Sequence, residues 1–126
     1  MKPEQFIREY GVEKAREVVE GAPEGATHYG LRQYRQWEGR ILKTFTEGSW
    51  RSTAVFGGNL RFIEDDCLCI QDLKRLVESV DLVEVCGGLV EAKKKMNSES
   101  LRSATIEYVL YKAIRDHESI YGGGDD

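Results

Sequence analysis

Long apolar runs, paired cysteines and catalytic signatures are all missing from this sequence of 126 residues. No run approaches the roughly 20 apolar residues that a membrane-spanning helix requires, so no span is expected. The first residues, MKPEQFIREYGVEK, contain acids and no apolar segment, which predicts neither a secretory signal nor a transit peptide. We therefore expect a protein that stays in the cytoplasm.

The cysteines are few and odd in number: Cys67, Cys69 and Cys86. None of them forms a C-x2-C pair, so the pattern favours free thiols in a reducing compartment over a disulfide framework. A metal site would have to combine His28 and His117 with Cys67 and Cys69. The spacing is unlike that of zinc modules, however, and we expect no metal.

Signatures of catalysis are also missing. The sequence contains no phosphate-binding loop, nucleophile elbow, dinucleotide fingerprint or zinc-protease helix, so no catalytic residue and no cofactor are predicted. An acidic cluster at residues 64–66 lacks the spaced partners of a calcium or acid–base site. We interpret it as a solvated approach to a helix, and we expect a protein that is not an enzyme.

What remains is the composition of one compact domain, with 40% hydrophobic and 32% charged residues. The predicted class is α+β, in which a small antiparallel meander of three to four strands packs against N-terminal and C-terminal helices on one face. The domain is expected to span residues 1–121. Residues 122–126, GGGDD, are predicted to form a flexible tail.

A short pattern occurs twice in the chain. Aligning YGVEKAREVV with GGLVEAKKKM matches Gly11 to Gly88 and Ala15 to Ala92. A glycine that interrupts a helical stripe indicates a corner, because glycine adopts a positive φ without steric strain. We predict helices over residues 3–20 with a break at Gly11, over residues 70–86, and over a short segment after Gly88.

The last helix is predicted from its apolar stripe, which runs from Leu101 to Ile114 and ends near His117. Asn97 or Ser98 is the expected cap, because short polar side chains can accept hydrogen bonds from the first free backbone amides.

Between the first helices and the later ones, aromatic, β-branched and basic residues predict three strands over residues 32–53, with residues 27–29 as a further strand. Two EG dipeptides, at Glu38–Gly39 and Glu47–Gly48, are taken as two-residue turns. That register pairs Trp37 with Arg40 and Phe45 with Trp50.

The register divides the side chains of the meander between two faces. The expected core face is the more aromatic one and carries Tyr34, Ile41, Phe45, Trp50 and Ala54. The expected solvent face carries Arg35, Trp37, Arg40, Leu42, Thr44, Arg51 and Thr53.

The meander is basic although the whole chain has a net charge of −4. Residues 26–56 carry five basic residues and two glutamates, a local charge of +3 that leaves −7 on the rest. Four residues of the expected solvent face are the candidate binding residues: Arg35, Trp37, Arg40 and Arg51. Arginines beside an aromatic plane suit single-stranded nucleic acid. The simpler alternative is a merely soluble face whose arginine stems cover Trp37.

Two segments, PEQFIREYGVEKAREVVEGAPEGATHY and LKRLVESVDLVEVCGGLVEAKKK, resemble small uncharacterised proteins encoded in the early or accessory regions of lambdoid bacteriophages and enterobacterial prophages. The resemblance implies a small accessory protein in the bacterial cytoplasm that acts by binding. It carries over no activity and no site residue. We therefore expect a non-enzymatic protein-interaction module whose partner is a host or phage protein, with nucleic-acid binding by the basic meander as the alternative. The oligomeric state is left open.

Overall fold

The structure is a computed structural model that describes residues 1–97 and 104–122. Within these residues there are six helices: α1 (Pro3–Tyr10), α2 (Val12–Glu20), α3 (Asn59–Asp66), α4 (Ile70–Val85), α5 (Leu89–Met96) and α6 (Ala104–Tyr121). There are five strands: β1 (His28–Gly30), β2 (Gln33–Glu38), β3 (Ile41–Thr46), β4 (Ser49–Ser52) and β5 (Leu68–Cys69). The predicted α+β class is confirmed, with one strand more than expected.

The chain divides into two compact units, Met1–Lys74 and Arg75–Asp126. The first contains the whole sheet and the second contains α5, α6 and most of α4. A single domain over residues 1–121 stays a prediction. Residues 123–126 of the predicted tail, and Ser98 and Leu101 of the predicted last helix, lie outside the described residues.

The two repeated glycines are helix corners, as predicted. Gly11 has a φ of 92° and Gly88 a φ of 107°, values that favour glycine. In each copy the amide of the alanine four residues later donates to the glycine carbonyl, and both alanines are fully buried. A third corner occurs at Gly58, where the Phe62 amide donates to the glycine carbonyl. The alignment of the repeated pattern missed the corner at Gly58, because Phe62 stands where the other two corners have an alanine.

All strand pairs in the sheet are antiparallel, and the strand order is β4-β3-β2-β1-β5. The turn between β3 and β4 is Glu47–Gly48, so the predicted pairing of Phe45 with Trp50 is confirmed. The predicted turn between β2 and β3, Glu38–Gly39, is wrong by one residue. The turn consists of Gly39–Arg40, and Trp37 faces Leu42 instead of Arg40. This register also places Arg35 opposite Thr44, where the two side chains form a hydrogen bond.

The shift changes the partner of each residue by two positions, so residues stay grouped on the faces that the sequence predicted. The assignment of core and solvent to those faces is wrong. The face that carries Arg35, Trp37, Leu42 and Thr44, here called the Leu42 face, packs against α3, with Leu42 only 1% exposed. Ile41 on the opposite face is 55% exposed. The reason is that Phe62 and Ile63 of α3 cover the Leu42 face.

Helices cover both faces of the sheet, not one as expected. On the face opposite to α3, here called the aromatic face (Tyr29, Tyr34, Phe45 and Trp50), the Tyr34 hydroxyl donates to the carbonyl oxygen of Val18 in α2 at 2.6 Å. Trp50 Nε1 donates to the Glu24 carbonyl in the loop after α2 at 3.0 Å. Phe45 and Trp50 are partly exposed, and Trp50 contacts this loop instead of a packed helix.

The second unit has its own apolar cluster. Val83 of α4, Ala92 of α5 and three residues of α6 are buried together: Leu110, Ala113 and Ile114. On α4 and α6, the Ser79 hydroxyl donates to Asp116 Oδ2 at 2.7 Å, and Arg75 Nε lies 3.4 Å from the same oxygen.

Among the residues that the structure describes, no helix is both long and apolar enough to cross a membrane.

Candidate binding groove

A groove with a volume of about 660 Å³ opens in the first unit, among α1, the turn between β1 and β2, and the end of α3. Its apolar lining includes Phe6, Tyr10, Tyr29, Leu31 and Leu68. Its charged lining includes Lys14, Arg32, Asp65 and Asp66. This volume lies within the usual range of ligand sites.

The aromatic lining is a continuous row of rings. Tyr10 and Phe6 are four residues apart on one side of α1, with ring centroids 4.9 Å apart. Phe6 and Tyr29 pack edge to face with ring centroids 6.2 Å apart, and Tyr29 and Tyr34 do so with centroids 5.1 Å apart. Phe6 is buried, whereas Tyr10 is 58% exposed. The row therefore connects the interior of the unit to a ring that is open to solvent.

Two backbone features hold the walls of the groove. Gly11 ends α1 directly after Tyr10, so the chain turns away and leaves that ring uncovered on one side. The Met1 nitrogen donates to the carbonyl oxygens of Asp65 at 2.8 Å and Cys67 at 3.1 Å, which ties the first residue to the end of α3.

The turn at the mouth of the groove has an unfavourable backbone. Leu31 and Arg32 have φ values of 52° and 64°, in the left-handed region that side chains with a Cβ rarely adopt. Such residues cost on the order of 1 kcal/mol each and cluster at functional sites. Leu31 is also 69% exposed.

Two charged side chains of the lining have no ion pair among the described residues, the cation Arg32 and the anion Asp66. The other two charges have weak local partners. Lys14 Nζ lies 3.8 Å from Glu17 Oε1, and Arg61 Nε lies 3.6 Å from Asp65 Oδ2, all on exposed side chains. Exposed pairs of this kind contribute little, so these charges are available to a ligand.

The four candidate binding residues do not form one open surface. Arg35 is 5% exposed, and Trp37 packs against the cluster of Leu42, Phe62, Ile63 and Cys67. Arg40 is exposed in the turn between β2 and β3, and Arg51 is exposed on β4 beside Glu47. The predicted solvent position of Arg35 is therefore wrong, because the guanidinium is buried and forms hydrogen bonds inside the unit.

Arg35 is held by neutral groups. Its Nε and Nη2 donate to the Gly30 carbonyl at 3.3 and 3.2 Å, Nη1 donates to Thr44 Oγ1 at 2.9 Å, and Nη2 also donates to Gln33 Oε1 at 3.2 Å. The Phe62 ring covers the guanidinium, with Cζ 4.9 Å from the centroid. Burial lowers the pKa of Arg35 from its ordinary value, with an opposing contribution from Cys67. These contacts engage all three guanidinium nitrogens and one face of the group, so Arg35 is structural.

The three cysteines are free thiols, as expected. Cys67 is buried, and burial raises its pKa to about 11, partly opposed by the positive charge of Arg35. No cluster of potential metal ligands occurs within residues 1–97 and 104–122.

A native labelling experiment should separate the thiols. Because the thiolate is the reactive form, Cys67 should stay unlabelled by a thiol reagent at about pH 8, while the partly exposed Cys69 and Cys86 react. Peptide mapping by mass spectrometry after timed labelling measures this. After denaturation all three should react equally. Labelling of Cys67 as fast as Cys69 in the native protein would contradict the buried position.

The sequence-based predictions did not identify the groove. Phe6 belongs to a helical stripe, Tyr29 to a strand, and Leu31–Arg32 to a connection, so their meeting depends on the packing of α1 on β1. One signal was present: the connection in HYGLRQY carries no Asn, Asp or Gly at the two turn positions. A short hairpin turn made of leucine and arginine is unusual enough to mark a site.

Comparison of this chain with protein-family models, with curated proteins and with solved structures finds no match.

Proposed function

We propose that this protein is a non-catalytic protein-interaction module that binds a short segment of a partner protein in the groove. The observation that carries the proposal is the row of rings from Phe6 to the exposed Tyr10, beside the exposed Leu31. Aromatic rings that are held rigidly and remain open to solvent are typical of binding hot spots.

The rim of the groove favours a peptide segment over an enclosed small molecule. Small-molecule sites usually surround most of the ligand surface. Here Tyr10 and Leu31 keep about half or more of their surface in solvent, at 58% and 69% exposure. A segment that lies across the rim would cover both side chains and insert one apolar side chain toward Phe6 and Tyr29.

The setting follows the resemblance to phage accessory proteins. We place the module in the cytoplasm of a bacterial host, with a host or phage protein as its partner. The lack of a catalytic motif in the sequence supports a binding role over an enzymatic one.

The nucleic-acid alternative has lost its main support. It required arginines beside an open aromatic plane, and Arg35 and Trp37 are engaged in packing against α3. The side chains that line the groove include two cations, Lys14 and Arg32, and two carboxylates, Asp65 and Asp66. A surface of mixed charge attracts phosphate backbones weakly.

The test is selection from a random peptide display library on immobilised wild-type protein and on Tyr10→Ala. Wild type should enrich a common sequence, and Tyr10→Ala should bind the corresponding synthetic peptide about tenfold more weakly or worse, a loss of about 1.4 kcal/mol. Because Tyr10 is largely exposed, its truncation should change the free energy of unfolding by less than about 1 kcal/mol.

Tyr108→Ala is the matched control, because Tyr108 is a tyrosine of similar exposure, 63%, on α6 in the other unit. It should bind the peptide as wild type does. Equal enrichment of the same sequences by wild type and Tyr10→Ala would refute the groove as the site. Binding of a single-stranded oligonucleotide that competes with the peptide would favour the nucleic-acid alternative.

A further inference from the structure

The turn between β1 and β2 differs from the other hairpin turns in this sheet. Each of the three turns has two residues with positive φ. Gly39 with Arg40 and Glu47 with Gly48 each include one glycine, which relieves half of the strain. Leu31 with Arg32 includes none. The same chain therefore uses glycine where a tight hairpin is all that is required, and omits it at the groove.

Neither side chain of this turn supports the fold. Leu31 and Arg32 are exposed, and Arg32 has no ion pair among the described residues. Both line the groove. A strained backbone that presents two uncommitted side chains to a binding site indicates that the side chains serve recognition.

We infer, resting on the proposed function, that Leu31 and Arg32 determine the specificity of the groove and select partner segments in which an acidic residue adjoins a large apolar residue. The planar guanidinium of Arg32 matches a carboxylate with two parallel hydrogen bonds. Leu31 and Tyr10 together provide exposed apolar surface for the neighbouring side chain.

The carboxylates on the other wall limit how acidic the segment can be. Asp65 and Asp66 line the same groove, and Asp66 has no ion pair among the described residues. A run of several acids would bring like charges together, which lowers affinity. The preferred segment therefore has one acid next to its apolar anchor, and a basic residue on the side that faces Asp66.

The first test replaces the turn with the favoured hairpin pair, in the double variant Leu31→Asn/Arg32→Gly. Asparagine and glycine adopt positive φ readily, so the melting temperature should rise, by about 3 °C. The peptide that wild type selects should bind about tenfold more weakly or worse. A stability gain with unchanged peptide affinity would show that the turn is only a scaffold, and would overturn the inference while leaving the groove intact as the binding site.

The second test is the charge reversal Arg32→Glu, used as bait in the same display selection. Glutamate is compatible with the backbone, since Glu47 has a φ of 52° in the turn between β3 and β4. The variant should enrich sequences with lysine or arginine in place of the acid. Enrichment of the same acid-containing sequences as wild type would overturn the inference.

The outcomes separate the two proposals. Loss of binding by Tyr10→Ala without any effect of the turn variants refutes the specificity role alone. Failure of wild type to enrich any peptide refutes the proposed function and the specificity role together. Arg40→Glu is the control for charge reversal, because Arg40 also has a positive φ in a hairpin turn but does not line the groove.

Discussion

Leu42→Ala should destabilise the protein by about 3 kcal/mol, whereas Ile41→Ala should change the free energy of unfolding by less than about 1 kcal/mol. The two residues are neighbours on β3 and lose a similar volume on truncation. Leu42 is 1% exposed against Phe62 and Ile63, and Ile41 is 55% exposed. The difference comes from the cavity that only the first substitution leaves inside the unit.

Urea unfolding followed by circular dichroism measures both variants. Because the two substitutions lie on opposite faces of one strand, the pair tests which face of the sheet is buried without relying on an absolute stability. If Ile41→Ala were the more damaging change, α3 would have to pack on the aromatic face, and the burial of the Leu42 face described above would be wrong.

Arg35→Met should also destabilise the protein by about 3 kcal/mol, although methionine has a similar length. The substitution removes the donor to the Gly30 carbonyl and to Gln33 Oε1, whereas Thr44 Oγ1 loses one partner and keeps its 2.9 Å hydrogen bond with Thr53 Oγ1. Unsatisfied buried polar groups cost about 1 to 3 kcal/mol each, although water recovers part of this at Gln33, whose contact is only partly buried. The contact of the guanidinium with Phe62 is lost as well.

Arg35→Lys should lose at least about 1 kcal/mol, because an ammonium group cannot reach three acceptors with the geometry of the guanidinium fork. The control is Arg51→Ala. Arg51 lies on the same face of the sheet and is the β4 partner of Thr44, but its ion pair with Glu47 is exposed. Arg51→Ala should therefore lower the free energy of unfolding by about 0.5 kcal/mol or less. If Arg35→Met and Arg51→Ala had the same melting temperature, the burial of Arg35 would be contradicted.

The sequence predicted five of the six described helices and two of their corners, because those features depend on near neighbours. It missed α3 (Asn59–Asp66), since residues 64–66 were interpreted as an approach to the following helix. Gly11 and Gly88 were identified from one glycine and an alanine four residues later, and both positions have the expected positive φ. The turn at Glu47–Gly48 followed from its own two residues. The turn at Gly39–Arg40 did not, because the pairing of Arg35 with Thr44 and of Trp37 with Leu42 outweighs the preference of the EG dipeptide.

The short strand β5 was missed for a related reason. Leu68 and Cys69 are too few to show an alternating pattern, and they are extended because β1 supplies a partner edge. Gly30 makes that approach possible: a Cβ at this position would lie 2.5 Å from Cys67 Sγ and 2.7 Å from the Asp66 carbonyl oxygen.

Local chemistry along the chain thus accounts for the α+β class, the helix corners and the grouping of residues on two faces, since caps, turns and alternation are set within a few residues. Long-range packing accounts for which face is buried, for the structural use of Arg35 and for the groove. Hydrophobicity favoured Phe45 and Trp50 as the core, yet α3 covers Arg35 and Leu42, and Phe62 makes the guanidinium an acceptable neighbour. Burial depends on which helix packs on which face, and no residue within the meander carries that information.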